Sequence, residues 1–111
     1  MRPLTTACFS ILLALIRGEK HGYAIMQEIN DSGHGRRIGP GTLYRSIRQL
    51  CDAGLVEESD ERADPALDDQ RRRYYRLTEL GRRALNAEAQ RLAGLVREAA
   101  KVGLIPRGLA T

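Results

Sequence analysis

The sequence predicts an α+β chain, mainly α: short helices, then a two-stranded hairpin, then a long C-terminal helix. Three observations carry this prediction. Apolar residues recur at helical spacing through three stretches of the first half, each closed by glycine or a polar turn. Two short segments rich in strand formers then flank a polar, acidic stretch containing Pro65. From Thr78 to about Gly103 the spacing is helical again, with no proline. A chain of 111 residues with 42% apolar content is one domain with a modest core. Small chains bury their apolar surface less completely than large ones, so dimerisation would help this one.

The first helix is predicted within residues 4–17, capped by Thr5 or Thr6 and ended by Gly18. It is apolar nearly all round, which implies burial on more than one side, and the second side is expected to be another subunit. Its apolar run of ten residues, Ala7 to Ile16, is too short to span a bilayer. No small-residue cleavage site follows it, and Cys8 stands ahead of most of the run, unlike a lipoprotein cysteine. The expectation is a cytoplasmic protein with no membrane contact, in which Cys8 and Cys51 are inert, reduced thiols.

His21 to Asn30 reads as a second amphipathic helix, with Ile25, Met26 and Ile29 on its apolar side. Asp31-Ser-Gly33 breaks it, and the basic connection His34-Gly-Arg-Arg-Ile38 leads to a third helix, Pro40 to about Gly54. Proline suits a first turn, and glycine suits the residue past a helix end. Leu43, Ile47 and Leu50 form one apolar stripe; Thr42, Arg45, Arg48 and Gln49 fall on or near the opposite face. Arginine can pair bidentately with guanine and glutamine with adenine, while threonine can meet phosphate or a thymine methyl, so this outer face suits the DNA major groove. A solvated charged face is the alternative for this helix taken alone. Two helices, a brief turn and a polar-faced helix follow the helix-turn-helix order.

Leu55 to Glu58 and Arg71 to Leu77 read as two strands joined by a polar loop, a wing. Alternation places Arg73, Tyr75 and Leu77 on one side of the second strand and Arg72, Tyr74 and Arg76 on the other. Thr78 can cap the last helix. In that helix Leu85, Leu92 and Ala99 recur at seven, as do Leu95 and Val102, with Glu88 in the matching earlier place. This stripe is more than one small domain easily covers. A partner helix is the expectation; packing on the chain's own first helix is the alternative. Residues 1–77 thus form the DNA-binding domain, 78–103 the dimerisation helix and 104–111 a tail. Phe9, Leu12, Leu13, Leu85, Leu92, Leu95, Val96, Ala99 and Val102 are the expected dimer contacts.

Net charge is +4 with a pI near 9.5. The distribution says more than the total. Gly33 to Cys51 holds four arginines and no acid, Asp52 to Asp69 eight acids and one arginine, and Gln70 to Arg83 six arginines and one acid. A wing arginine among Arg71, Arg72 and Arg73 can enter a narrow minor groove or pair with phosphate; pairing with the acids just upstream is the alternative. Arg36 and Arg37 are candidates for phosphate contact. His21 and His34 lack metal-ligand spacing, and there is no phosphate-binding loop, dinucleotide fingerprint or nucleophile elbow, so no metal, cofactor or catalytic residue is expected.

His21-Gly-Tyr-Ala-Ile, Gly41-Thr-Leu-Tyr-Arg-Ser-Ile-Arg-Gln-Leu50, Gly54-Leu-Val and Arg72-Arg-Tyr-Tyr-Arg-Leu-Thr-Glu-Leu-Gly81 together resemble the PadR-like family of bacterial transcriptional regulators, over about residues 8 to 90. The resemblance implies a winged helix-turn-helix, homodimerisation through the C-terminal helix with help from the first, and repression by binding an operator. It also places Tyr23, Thr42 and Tyr44 near DNA. The chain departs from the pattern in lacking tryptophan, so an aromatic drug-binding pore does not carry over, and in its long acidic wing loop. The functional expectation is a homodimeric, sequence-specific repressor acting on double-stranded DNA at an inverted repeat, with release by an unidentified small-molecule effector as a further option. The rival is a winged-helix module for protein contact.

Overall fold

A computed structural model describes residues 3–33, 37–59, 73–106 and 108. The order is α1 (Thr6–Leu15), β1 (Lys20–His21), α2 (Gly22–Asp31), α3 (Pro40–Asp52), β2 (Val56–Ser59), β3 (Tyr74–Leu77) and α4 (Glu79–Lys101). The helices fall where the apolar spacing places them. The sheet has one strand more than expected: β1 joins the hairpin in the order β1-β3-β2, antiparallel throughout. Lys20 and His21 pair with Tyr75 and Tyr74. Two residues are too few to show a period of two, so sequence patterning had nothing to register here.

Side-chain caps start three of the helices. The Thr5 hydroxyl accepts the Cys8 N–H at 3.1 Å, His21 Nδ1 accepts the Ala24 N–H at 3.0 Å, and the Thr78 hydroxyl accepts the Gly81 N–H at 2.9 Å. α3 begins instead at the extended Gly39, with Pro40 in its first turn. Gly54, at φ 77°, takes the left-handed conformation that turns the chain from α3 into β2.

α1 is the centre of the core. Ile11 and Leu12 are fully buried with Leu43 of α3 and Ile25 of α2, and Tyr75 of the sheet and Leu85 of α4 close the cluster. The first half of α4 packs here through Gly81, Ala84, Leu85 and Glu88; its second half leaves Leu95 55% and Val102 73% exposed. The molecule is accordingly elongated, 55 × 26 × 21 Å. Glu88 interrupts the apolar stripe as a buried acid. Arg91 donates to both of its oxygens at 2.8 and 2.7 Å, which with the Leu4 backbone N–H holds the carboxyl below the ordinary carboxylate range.

Leu12 and Leu85, expected at a dimer contact, belong to the core of their own subunit. Leu12 has no exposed surface and Leu85 6%. An all-apolar helix buries one side in its own domain, and the heptad count alone does not say which side.

Candidate nucleic-acid interface

α3 separates its two faces as its sequence requires. Leu43, Ile47 and Leu50 are buried, while Thr42, Arg45, Arg48 and Gln49 are exposed. Neither Arg45 nor Arg48 has an ion-pair partner among the described residues. Two cations and two hydrogen-bonding side chains thus stand on a rigid helix with their capacity unspent.

The position of α3 is set by contacts that the motif spacing did not show. Asn30, at the end of α2, donates from Nδ2 to the Ile38 carbonyl at 3.0 Å and accepts the Ile38 N–H on Oδ1 at 2.8 Å. This two-bond clamp satisfies backbone groups just before α3 and fixes its approach. An asparagine ahead of Asp31-Ser-Gly33 is a sequence signal for such a clamp. Tyr44, expected at DNA backbone, is turned inward instead. It is half-buried, its hydroxyl oxygen is shielded from solvent, and a Cβ on Gly22 would come within 2.8 Å of that oxygen. The glycine of the His-Gly-Tyr motif makes room for this ring, and the helix-start hydrogen bond of His21 sits beside it. His21 also meets Tyr74 edge-on, with ring centroids 5.6 Å apart. Tyr23 remains outward, 46% exposed, in the first turn of α2.

Arg37 is exposed at the approach to α3; Arg36, Arg71 and Arg72 lie outside the described residues. Arg73 is described, and it is paired: its Nε lies 3.3 Å from Glu58 Oε1. Arg76 donates to Glu57 at 2.6 Å across the β2–β3 register. The wing's described arginines are therefore compensated by glutamates of the neighbouring strand.

The far end of α2 and the start of α4 are equally tied to the reading helix. The Leu55 N–H donates to the Leu50 carbonyl at 2.9 Å, the Thr78 N–H to the Leu55 carbonyl at 3.1 Å, and the Thr78 hydroxyl to the Gly54 carbonyl at 2.6 Å. Cys51, in the last turn of α3, has its thiol pushed up by burial and then by the charges of Glu58 and Asp52, so it stays a thiol and a poor nucleophile. No group of three or more metal-ligating side chains occurs among the described residues.

On the opposite side, Leu13 is 52% exposed and sits between two clefts. One, of about 670 Å³, lies between α1 and α2 and is lined by Phe9, Leu13 and Ile29 among others; the second, of about 530 Å³, lies between α1 and the start of α4. Phe9, Leu92 and Ala99 are half-buried, and Val96 is 38% exposed.

The family model of the transcriptional regulator PadR-like family matches residues 11–87. The chain belongs to the PadR-like family of transcriptional regulators. A transcriptional regulator of Mycobacterium tuberculosis is 41% identical over 80 residues, which cover 72% of this chain and 69% of that protein. The fold matches a PadR family transcription regulator from Clostridium difficile, with a TM-score of 0.74 at 18% identity over 88% of this chain and 98% of the other. It also matches the PadR of Bacillus subtilis, solved in complex with operator DNA, with a TM-score of 0.64 at 22% identity over 77% of this chain. The present chain spans 47% of the length of that protein. No described helix of this PadR-like chain is long and apolar enough to cross a membrane.

Proposed function

We propose that this PadR-like regulator is a homodimeric repressor that reads an inverted-repeat operator with α3. The observation that carries the proposal is the outer face of α3. Arg45 and Arg48 are exposed beside Thr42 and Gln49, with no intramolecular ion pair among the described residues, on a helix whose inner face is locked in the core. Cations that no neighbour neutralises favour an anionic surface. Tyr23 and Arg37 stand near either end of the α2–α3 unit and serve as backbone contacts. Arg36, Arg71 and Arg72 join them on sequence grounds.

The dimer is proposed to form through the second half of α4, where Leu95, Val96, Ala99 and Val102 have no cover in the protomer, against the exposed side of α1 at Phe9 and Leu13. The clefts flanking Leu13 have the volume of a small-molecule site. An effector lodged there would act by changing the spacing of the two reading helices.

Selection of bound duplexes from a random pool tests the reading. The expected product is a palindrome with half-sites about one helical turn, roughly 10 bp, apart or a multiple of it. Arg45→Ala should lose about 1–3 kcal/mol of binding and relax one position of each half-site. A pool that returns no sequence preference would instead support a module for protein contact.

A further inference from the structure

We infer that Glu57 and Glu58 of β2 are built-in competitors of DNA phosphate for the wing arginines Arg76 and Arg73, holding the wing's sequence-independent affinity down. The inference rests on the DNA-binding reading of α3 but concerns different residues. β2 brings two consecutive glutamates to a strand whose partner carries the arginines. Because successive side chains point to opposite faces, Glu57 meets Arg76 on one face at 2.6 Å and Glu58 meets Arg73 on the other at 3.3 Å. Each face of the wing is thus neutralised separately.

All four side chains are between 39% and 50% exposed. Pairs this wet contribute little to stability, so their presence is poorly explained by folding. Their consequence for a polyanion is larger. A phosphate that takes Arg73 or Arg76 must first break the pair, and it then leaves an uncompensated carboxylate beside the DNA backbone. Arg45 and Arg48 face no such competitor among the described residues. The arrangement places the uncompensated charge on the helix that reads bases and discounts the charge on the element that reads only backbone. Phosphate contacts carry no sequence information. Suppressing them favours operator over bulk DNA, whose competing sites are vastly more numerous.

The test uses the full-length chain with Glu57→Gln and Glu58→Gln combined, both isosteric surface changes. The probe is a labelled mixed-sequence duplex of about 40 bp, titrated from low to physiological salt. The double variant should bind about fivefold more tightly near 0.1 M salt. Its slope of log affinity against log salt should steepen by about 0.9 for each arginine freed. Adding Arg73→Gln and Arg76→Gln should abolish both gains. Glu98→Gln, which removes one acid from an equally exposed pair with Lys101 on α4, controls for net charge. If the wild type binds and the double variant gains neither affinity nor slope, the competition is disproved while the reading of α3 stands. An equal gain from Glu98→Gln would also overturn it, in favour of net charge. A wild-type chain that ignores the duplex at every salt concentration would remove both.

Discussion

Replacing Gly81 by alanine should unseat the long helix. A Cβ at this position would lie 1.9 Å from the Leu55 carbonyl oxygen and 2.9 Å from Leu77 Cδ1. The carbonyl is not free to swing away. It accepts the Thr78 N–H at 3.1 Å, and the adjoining Gly54 carbonyl accepts the Thr78 hydroxyl at 2.6 Å. An unstrained carbon–oxygen approach is about 3.3 Å or more, so α4 or the end of α3 must retreat by more than an ångström. Overpacking of that kind costs about 1–3 kcal/mol. Straining the two Thr78 hydrogen bonds adds about 1–2 kcal/mol. Alanine's better helix propensity returns about 1 kcal/mol. The net loss is about 2–3 kcal/mol, and at about 4–8 °C per kcal/mol for a small domain it lowers Tm by roughly 10–20 °C. Urea unfolding followed by circular dichroism would read it as a lower midpoint at unchanged slope. Gly41→Ala is the matched control. Nothing lies within 4 Å of a Cβ there, so the same substitution in α3 should gain up to about 0.5 kcal/mol. Equal stability of Gly81→Ala and wild type would refute the close docking of α4 on Leu55.

Asn30→Ala removes both bonds to the backbone of Ile38 and should cost about 1–2 kcal/mol; faster amide exchange at Ile38 with weaker operator binding is expected, and unaltered exchange there would dispose of the clamp. Leu95→Glu puts a charge on a residue that is 55% exposed in the protomer; if α4 pairs with a partner helix, dimer affinity should fall by about two orders of magnitude or more, which sedimentation at micromolar concentration would detect. Tyr75 has its phenol pushed up to about 12, by burial first and by Glu58 second. Since the folded pKa lies above the unfolded value near 10.0, the stability associated with the neutral ring is intact below that pH. About 2–3 kcal/mol of it should be lost as pH rises toward 12. Phenolate absorbance should show a late-titrating component that Tyr75→Phe removes.

The helices were legible because burial on one side leaves a period. Leu43, Ile47 and Leu50 announce α3, and Thr5 and Thr78 announce the starts of α1 and α4, because a cap is a local bargain between a side chain and its own backbone. β1 was not legible, since its identity depends on Tyr74 and Tyr75 arriving from far along the chain. The same limit governs the site residues. The outward face of α3 follows from the inward one, so Thr42, Arg45, Arg48 and Gln49 stand where spacing puts them. Tyr44 sits on the same helix, yet its ring goes to Gly22, a contact no helical period contains. Leu12 carries the same hydrophobicity as Leu13, but only the packing of α2, α3 and α4 around α1 decides that one is sealed and the other 52% exposed.

These close contacts bear on how a signal could reach the reading helix. α3 ends at Gly54, whose carbonyl holds Thr78, and α4 begins at Thr78 with Gly81 against Leu55. Asn30 fixes the other end of α3 to α2. Little slack remains between α3 and the first turns of α4, so a movement of one carries the other. The exposed half of α4, by contrast, has no contact of this closeness within the protomer. A helix rigidly docked at one end and open at the other transmits a change of packing at Leu95 or Val102 as a change of orientation at α3, not as unfolding of α3. Regulation of such a molecule is therefore expected in the distance between two intact reading helices. Measured by paired spin labels on α3 of the two subunits, an inducing condition should shift that distance while amide protection of Leu43 to Leu50 stays unchanged; melting of α3 with the distance preserved would show that the rigid coupling is wrong.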